Sequence, residues 1–191
     1  MKILLDIGHA NRTGARGNGY EEHELCAIVG QQLKKRLEKH GVKVQILDFP
    51  TLSNKEDLRR TINTANAAKR VLFGISLHMD ASTNSKAKGG HVIYTSAKGK
   101  QIAEAIADKL CALMPGRAQA IVDRDNLGIL NQTRAPWGLL ELGFITSLED
   151  IKKLVDNPDT DKNELKPFLD ALETGVLAAI ERAKAWNTKT A

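Results

Sequence analysis

The chain has 191 residues, of which 42% are hydrophobic and 27% are charged, and its formal net charge is +5. Length and composition are typical of one globular domain with a sizeable core. No apolar run is long enough to span a membrane, so no transmembrane segment is predicted. The positive charge favours contact with polyanions, but the lysines and arginines are scattered rather than grouped, which is typical of solvated helix faces.

The two ends and the cysteines carry little further information. The N-terminus predicts no signal peptide, because only Lys2 precedes a short apolar run that Asp6 interrupts. Cys26 and Cys111 are the only cysteines. Two isolated thiols in different helical patterns are interpreted as small apolar residues and not as a disulfide.

The chain begins with a short apolar run, Ile3–Ile7, that stops at Gly8-His9. This pattern predicts a strand buried on both faces and followed by a loop. Residues 21–40 then carry the stripe of an amphipathic helix, with Gly41 as its stop. The apolar residues that define this stripe are Leu25, Ile28, Val29, Leu33 and Leu37.

Strands and helices alternate through the rest of the chain. We predict strands at 42–47, 71–77, 90–94 and 137–142, a short strand at 127–130, and helices at 55–69, 100–113, 148–155 and 164–183. Ser53 or Asn54 caps the helix 55–69, and its inward residues are Leu58, Ile62 and Ala65. A loop is expected at 156–161 and a frayed end at 186–191. The alternation predicts an α/β fold: a three-layer single domain with a largely parallel twisted central sheet flanked by helices.

Three predicted strands run into a polar residue at the end that follows the apolar body: His9, His78 and Glu141. Since ligands bind beyond the carboxyl ends of strands in open α/β sheets, these side chains are expected to meet there. Glu22 opens the first helix nearby. Two histidines and a carboxylate with an open fourth position are typical of a catalytic zinc site, whereas structural zinc requires four closed ligands. Glu141 then fits a general base that later returns its proton to the leaving amine.

Other interpretations of these histidines stay open on the residues alone. A single histidine at a strand end is more often a hydrogen-bonded structural residue, and His23, His40 and His91 compete as ligands on spacing. His40 at a helix end is interpreted as a partner of the helix dipole. His91 begins a strand and is therefore expected near the opposite edge of the sheet or at its rim.

Five motifs in order along residues 2–182 resemble one family. They are Asp6-Ile7-Gly8-His9, Glu22 at the head of a helix ending in Leu37-Glu38-Lys39-His40-Gly41, Ala65-Asn66, Ser76-Leu77-His78, and Glu141-Leu142-Gly143-Phe144. Together they resemble the zinc-dependent N-acetylmuramoyl-L-alanine amidases of the amidase_3 family. The resemblance implies that His9, Glu22 and His78 bind Zn²⁺ and that Glu141 is the catalytic acid/base. Glu24 is the alternative third ligand, because the register at the helix start is ambiguous.

Three departures from the family motifs bear on the expected site. Ile7 stands for a proline and Ala10 for a glycine, and neither change removes a ligand. Asp80 stands for an asparagine, which introduces a carboxylate near the metal and would change the surroundings of the ligands or the contact with substrate.

Two loops carry weaker indications. Asn131, Gln132 and Arg134 either line a groove that recognises the carboxylates of a stem peptide or form an ordinary exposed loop. Residues 14–19 are glycine-rich, but their spacing fits neither phosphate-binding motif, so a mobile active-site loop is expected.

The resemblance implies hydrolysis of the amide between N-acetylmuramic acid and L-alanine in bacterial peptidoglycan. Residues 1–185 are expected to form the catalytic domain and residues 186–191 a C-terminal tail. The expected partner is the muramoyl-peptide substrate and not nucleic acid, and the oligomeric state stays open. Without a signal peptide, the chain resembles a phage-type lysin made in the cytoplasm and released to act on the cell wall.

The residues also allow two other functions. One is a zinc peptidase that cuts a different bond of the stem peptide. The other is a non-catalytic module that binds cell wall or polyanions through its positive charge, with salt-sensitive binding that persists without zinc.

Overall fold

A computed structural model describes residues 1–10, 13–155 and 164–188. The strands in these ranges are β1 Lys2–Ile7, β2 Arg16–Gly17, β3 Tyr20–Glu21, β4 Lys43–Leu47, β5 Val71–Asp80, β6 His91–Tyr94, β7 Ile121–Asp123 and β8 Trp137–Phe144. The helices are α1 Glu22–Lys39, α2 Asn54–Ala67, α3 Ala97–Leu113, α4 Gly128–Asn131, α5 Leu148–Leu154 and α6 Leu165–Thr188.

Six strands form one sheet in the order β4-β1-β5-β8-β6-β7, and β2 and β3 form a separate hairpin. Strands β4, β1, β5 and β8 are parallel to one another. β6 pairs antiparallel with β8 and parallel with β7, so β6 and β7, the last two strands in this order, run in the opposite direction. The expected α/β fold with a largely parallel sheet is confirmed.

Helices cover both faces of the sheet and bury two separate apolar clusters. Alternate residues of each strand point to opposite faces. Ile7 and Leu77 belong to the larger cluster, which residues of α1, α3, α5 and α6 complete. Leu4 and Trp137 belong to the smaller cluster on the other face, under α2 and α4. α2 has 14 residues and α4 only four, and His78 and Glu141 lie on the face that these helices cover, in alternation with the buried Leu77 and Leu140.

Local sequence signals account for the helix that covers this second face. The Ser53 side chain accepts a hydrogen bond from the backbone N–H of Glu56, and the Glu56 side chain accepts one from the backbone N–H of Ser53. This reciprocal capping box satisfies two amide groups that the first turn leaves free. The prediction that Ser53 or Asn54 caps the helix is confirmed, with Ser53 as the cap.

The prediction of a strand at 127–130 is wrong, because this run forms α4. The strand of this region lies earlier, at Ile121–Asp123. A short apolar run does not distinguish a buried strand from a buried helical turn, and periodicity offers no help over four residues.

Two residues assigned to the buried stripes are exposed. Ile28 on α1 is 50% exposed and Leu58 on α2 is 41% exposed. The other predicted inward residues of α2, Ile62 and Ala65, are buried. Leu58 faces a pocket that the two covering helices leave open.

The last helix extends further than predicted. Trp186 is part of α6, and its indole Nε1–H donates to Gln101 Oε1 at 2.8 Å. The expectation of a frayed end is therefore wrong for Trp186. Residues 189–191 and the predicted loop 156–161 lie outside the described residues. The two cysteines are free, and no helix within the described ranges is long and apolar enough to cross a membrane.

Candidate metal centre and active site

The side chains of His9, Glu22 and His78 meet at the carboxyl edge of the sheet. One ligand atom from each lies within 4.8 Å of the other two. Glu22 Oε1 is 3.1 Å from His78 Nδ1 and 3.4 Å from His9 Nε2. His9 lies in the loop after β1, Glu22 is the first residue of α1, and His78 lies near the carboxyl end of β5. The fold therefore brings together groups that are far apart in sequence.

Two glycines make room for these side chains. A Cβ on Gly8 would lie 2.4 Å from His78 Cε1 and 2.5 Å from the carbonyl oxygen of Leu77. A Cβ on Gly14 would lie 2.8 Å from Glu22 Oε2. His9 itself has φ of 61°, a left-handed conformation that is uncommon outside glycine and concentrates at functional sites. The backbone here is shaped around the cluster.

The backbone holds Glu22 firmly in place. Its Oε1 accepts a hydrogen bond from the N–H of Met79 at 3.0 Å, and its Oε2 accepts one from the N–H of Ala15 at 2.8 Å. Burial opposes ionisation of this carboxyl, but the hydrogen bond and charge of His78 hold its pKa below the usual range. Glu24, the alternative, is exposed on the same helix. The structure brings Glu22 and not Glu24 to the two histidines.

Glu141 lies next to this cluster on β8, where its Cα is paired in register with that of His78. Glu141 Oε2 is buried and has no hydrogen-bond partner among the described residues. Burial raises the pKa of Glu141 to about 7, and the neighbouring carboxylates of Asp80 and Glu22 act in the same direction against the charge of His78. A carboxyl with a pKa near neutrality is suited to take up and return a proton.

The competing histidines are placed elsewhere or have other partners. His23 Nε2 lies 3.0 Å from Asp48 Oδ1, and His40 Nε2 lies 2.8 Å from Glu173 Oε1. Neither belongs to the cluster in the described part of the chain. His40 is the C-cap residue of α1, and its interaction with the helix dipole stays a prediction.

Of the two placements predicted for His91, the opposite edge of the sheet is wrong. It is 3% exposed, and its Cα is paired with that of Glu141. The reason is strand direction: β6 runs antiparallel to β8, so its first residue lies at the carboxyl edge. Sequence reasoning assumed a parallel strand, whose first residue would lie at the far edge.

Asp80 forms an ion pair at the rim instead of joining the cluster. Arg117 Nη2 donates to Asp80 Oδ2 at 2.8 Å, and Arg117 Nε donates to His91 Nδ1 at 3.0 Å. Burial together with the charges of Arg117 and Arg124 lowers the pKa of His91 to about 4, so its ring stays neutral and accepts this hydrogen bond. The carboxylate that replaces the family's asparagine is thus paired with a cation.

The two loops with weaker sequence indications are both held by hydrogen bonds to backbone groups. Asn66 Nδ2 donates to the carbonyl oxygen of Gln132, and Asn66 Oδ1 accepts from the N–H of Arg134, both at 2.8 Å. These bonds tie the loop before β8 to α2. Residues 14–19 contain β2 and the turn that joins it to β3, and both turn residues, Asn18 and Gly19, have positive φ. The Asn-Gly pair is a hairpin signal that sequence reasoning missed.

Sequence reasoning also missed two buried carboxylates below the cluster. Asp6 Oδ2 accepts from Ser76 Oγ at 2.5 Å, and Asp6 Oδ1 accepts from Thr61 Oγ1 at 3.2 Å. Asp57 on α2 is 5% exposed, and its Oδ1 has no hydrogen-bond partner among the described residues. Both line a pocket that also contacts His9 and His78. The apolar strand around Asp6 signalled an unusual buried charge, but nothing local distinguished Asp57 from a first-turn acidic residue of a helix.

An open α/β sheet with two imidazoles, a carboxylate and a second carboxylate at one edge is typical of a metal-dependent hydrolase. The chain belongs to the Amidase_3 family of N-acetylmuramoyl-L-alanine amidases, whose model matches residues 3–166. The family assigned from the sequence motifs is confirmed.

Individual relatives agree with the family. A probable cell wall amidase, LytH, of Staphylococcus saprophyticus is 30% identical over 154 residues, which cover 78% of this chain and 49% of LytH. The N-acetylmuramoyl-L-alanine amidase CwlM of Bacillus licheniformis is 25% identical over 155 residues, 81% of this chain and 60% of CwlM. The chain thus spans about half of the first relative and somewhat more of the second.

Solved structures show the same fold. The catalytic domain of the CD27L endolysin, which targets Clostridia difficile, superposes with a TM-score of 0.79 at 26% identity. The match covers 93% of this chain and 97% of that domain.

Proposed function

We propose that this protein is a zinc-dependent N-acetylmuramoyl-L-alanine amidase that cleaves the amide between muramic acid and the first L-alanine of peptidoglycan. The observation that carries the proposal is the meeting of His9, Glu22 and His78 beside the buried Glu141. The family and the relatives named as cell wall amidases support the bond and the substrate. Peptidoglycan as substrate places the site of action at the bacterial cell wall.

The chemistry of the three side chains fits Zn²⁺. Two imidazole nitrogens and one carboxylate oxygen are a known catalytic zinc set that leaves a fourth position open. His9 Nδ1 is buried without a hydrogen-bond partner among the described residues, which is costly for a polar atom that binds nothing. Glu22 is fixed by two backbone N–H groups, so it is already oriented for a ligand role.

The residues divide the work of amide hydrolysis between them. Bound zinc supplies Lewis acidity that polarises the carbonyl and activates water. The ion would be held by His9, Glu22 and His78 at the carboxyl edge of the sheet, with its fourth position open to water or substrate. Glu141 would accept the proton of the attacking water on its unpartnered carboxylate and donate it to the departing nitrogen of L-alanine. Burial of Glu141 raises its pKa and so favours the protonated form that donates to the departing nitrogen.

The proposal is tested by zinc content and by peptide release from purified peptidoglycan, before and after chelation. We expect one zinc per chain and release of stem peptides that begin with a free L-alanine amine, with the release lost on chelation and restored by Zn²⁺. Release of fragments cut elsewhere in the stem would make the chain a peptidase instead. Salt-sensitive wall binding without zinc and without release would favour the non-catalytic module.

Replacement of Glu141 separates metal binding from turnover. Glu141→Gln keeps the size of the side chain but cannot carry the proton, so we expect full zinc content and a fall in kcat of about 10³-fold. Glu24→Gln is the matched control, because Glu24 is exposed on α1 and should keep both zinc and turnover. Near-normal turnover of Glu141→Gln would remove Glu141 from the mechanism.

A further inference from the structure

A pocket of about 160 Å³ adjoins the candidate metal centre on the face covered by α2 and α4. His9 and His78 form one end of it, where it meets the three-ligand cluster. Ser76 and Leu139 line its floor, each two residues before His78 and Glu141 on its strand and therefore on the same face of the sheet. The pocket exists because α2 and α4 stop short of covering the end of the sheet.

Asp57 gives this pocket an unused hydrogen-bond acceptor. It is 5% exposed, and its Oδ1 has no partner among the described residues. The other acidic group, Asp6, already accepts hydrogen bonds from Ser76 and Thr61. A buried carboxylate without a partner is unfavourable unless a ligand completes its hydrogen bonds. The pocket therefore offers one acceptor to a donor that the chain itself does not supply.

The opposite wall is apolar. Leu58, Leu127 and Ile129 line it together with Leu139, and Leu58 remains 41% exposed although it was expected to face the core. An apolar side chain left at the mouth of a pocket is available for contact with a ligand. A fitting ligand group carries an N–H donor on one side and a small apolar portion on the other.

The order of the strands decides which part of a muramoyl-peptide reaches this pocket. Thr61 follows Asp57 by one turn of α2, and its Oγ1 donates to Asp6 on β1 at 3.2 Å, so Asp57 lies over β1, on the β4 side of β5. Glu141 lies on β8, on the other side of β5 and its His78. Glu141 must reach the departing nitrogen, so the peptide extends toward β8. The acyl side, with the muramic acid ring, then extends toward Asp57.

We infer that this pocket is a subsite for the N-acetyl group of muramic acid. Asp57 accepts a hydrogen bond from the acetamido N–H, and the apolar wall contacts the methyl group. The inference rests on the proposed function. The acetamido group is attached next to the lactyl ether that carries the scissile carbonyl, so it is the nearest donor on the acyl side.

The test uses direct binding of two small probes to the zinc-loaded full chain by titration calorimetry: N-acetylmuramic acid and its 2-deoxy analogue, which has hydrogen in place of the acetamido group. We expect the wild-type protein to bind N-acetylmuramic acid about tenfold more tightly than the 2-deoxy analogue, as one charge-assisted hydrogen bond and a methyl contact allow. Asp57→Leu removes the acceptor and should reduce this preference to about twofold or less. Asp57→Asn keeps an acceptor oxygen and should retain most of it.

Asp108→Leu and Asp108→Asn are matched controls, because Asp108 is exposed on α3 on the far face of the sheet. Circular dichroism confirms that Asp57→Leu is folded, and Leu58→Ala, which only shortens the apolar wall, provides a second test of the same preference. Tighter binding of the 2-deoxy analogue, or an undiminished preference in Asp57→Leu and Leu58→Ala alike, would overturn the subsite.

The release assay separates this result from the proposed function. If the wild-type protein releases stem peptides that begin with L-alanine but shows no preference between the probes, the proposed activity is confirmed and the subsite is contradicted. If the protein releases no peptide but binds the N-acetyl probe through Asp57, the subsite is confirmed and the proposed activity is contradicted.

Discussion

Gly8 determines whether His78 can occupy its position in the cluster. A methyl group at this residue would lie 2.4 Å from the His78 ring and 2.5 Å from the carbonyl oxygen of Leu77. The ring can move, but the backbone carbonyl cannot, and the Gly8 N–H donates to that same oxygen at 2.9 Å. We therefore expect Gly8→Ala to weaken zinc binding at least ~10-fold, because misplaced supporting groups typically cost a metal site 10- to 100-fold in affinity.

Competition with a zinc chelator of known affinity measures this loss. Gly19→Ala is the matched control: it has φ of 83° in the hairpin and nothing within 4 Å of its added methyl. It should lower stability by about 1 kcal/mol through backbone strain and leave zinc affinity unchanged. Equal zinc affinity in both variants would show that the close packing at Gly8 is unimportant for the site.

Asp80 shows how one substitution relative to the family is accommodated. The added carboxylate is paired with Arg117, whose guanidinium also lies 4.9 Å from the centre of the Phe144 ring. Arg117 therefore has partners on two sides and stands at the rim beside Glu141. The sequence predicted a carboxylate near the metal but could not reveal its partner, because Asp80 and Arg117 are 37 positions apart.

Among the elements, α5 supports the strand that carries Glu141. Asp150 in its first turn is fully buried and accepts hydrogen bonds from the N–H of Gly89 at 2.8 Å and of Phe144 at 2.9 Å. It thereby joins the end of β8 to the segment that leads into β6. Asp150→Ala leaves two buried N–H groups without a partner, and we expect it to lower the free energy of unfolding by about 2–4 kcal/mol.

Denaturant unfolding checks this value. Glu149→Ala is the control at the neighbouring position, where an exposed ion pair with Lys88 contributes little to stability. A similar, small loss of stability in both variants would mean that Asp150 does not hold the two segments together.

The elements that the sequence predicted well are those whose signals are local. The buried strand before His9, the helix that begins at Glu22 and the cap at Ser53 all follow from residues a few positions apart. The elements it predicted poorly depend on distant packing. Nothing within the run 127–130 shows that it lies against the second face of the sheet as a helical turn, and nothing in β6 shows that it pairs antiparallel.

The candidate site follows the same division. Its main residues were predicted because each ends a strand or begins a helix, positions that α/β topology brings to one edge. Asp57 was not predicted, because its importance arises from α2 packing over β1 and from the pocket between them. The Asp57 carboxylate loses its water partners only when the chain folds, so its sequence neighbours do not reveal this.

At the scale of the whole molecule, that carboxylate makes stability depend on pH. Burial, with Asp6 and Asp48 acting in the same direction against the positive charges of His23 and His78, raises the pKa of Asp57 from 3.8 to about 6. The folded state therefore binds this proton more tightly than the unfolded state. Its contribution to stability is complete below pH 3.8 and is lost as the pH rises through about 6.

Asp57→Asn removes this dependence, because an amide does not ionise. The free energy of unfolding of the variant minus that of the wild type should therefore rise from pH 5 to pH 8. A full conversion of the pKa shift would overstate the change, since Asp57 borders an open pocket, and we expect a rise of about 1 kcal/mol. Urea unfolding of chelator-treated protein at the two pH values measures it without interference from metal loss. Asp108→Asn, at a fully exposed carboxyl whose pKa is lowered by Lys109, should show no such rise. A difference between Asp57→Asn and wild type that is the same at both pH values would mean that Asp57 is solvated in the folded protein, and the pocket would then lack the unpartnered acceptor on which the acetamido subsite depends.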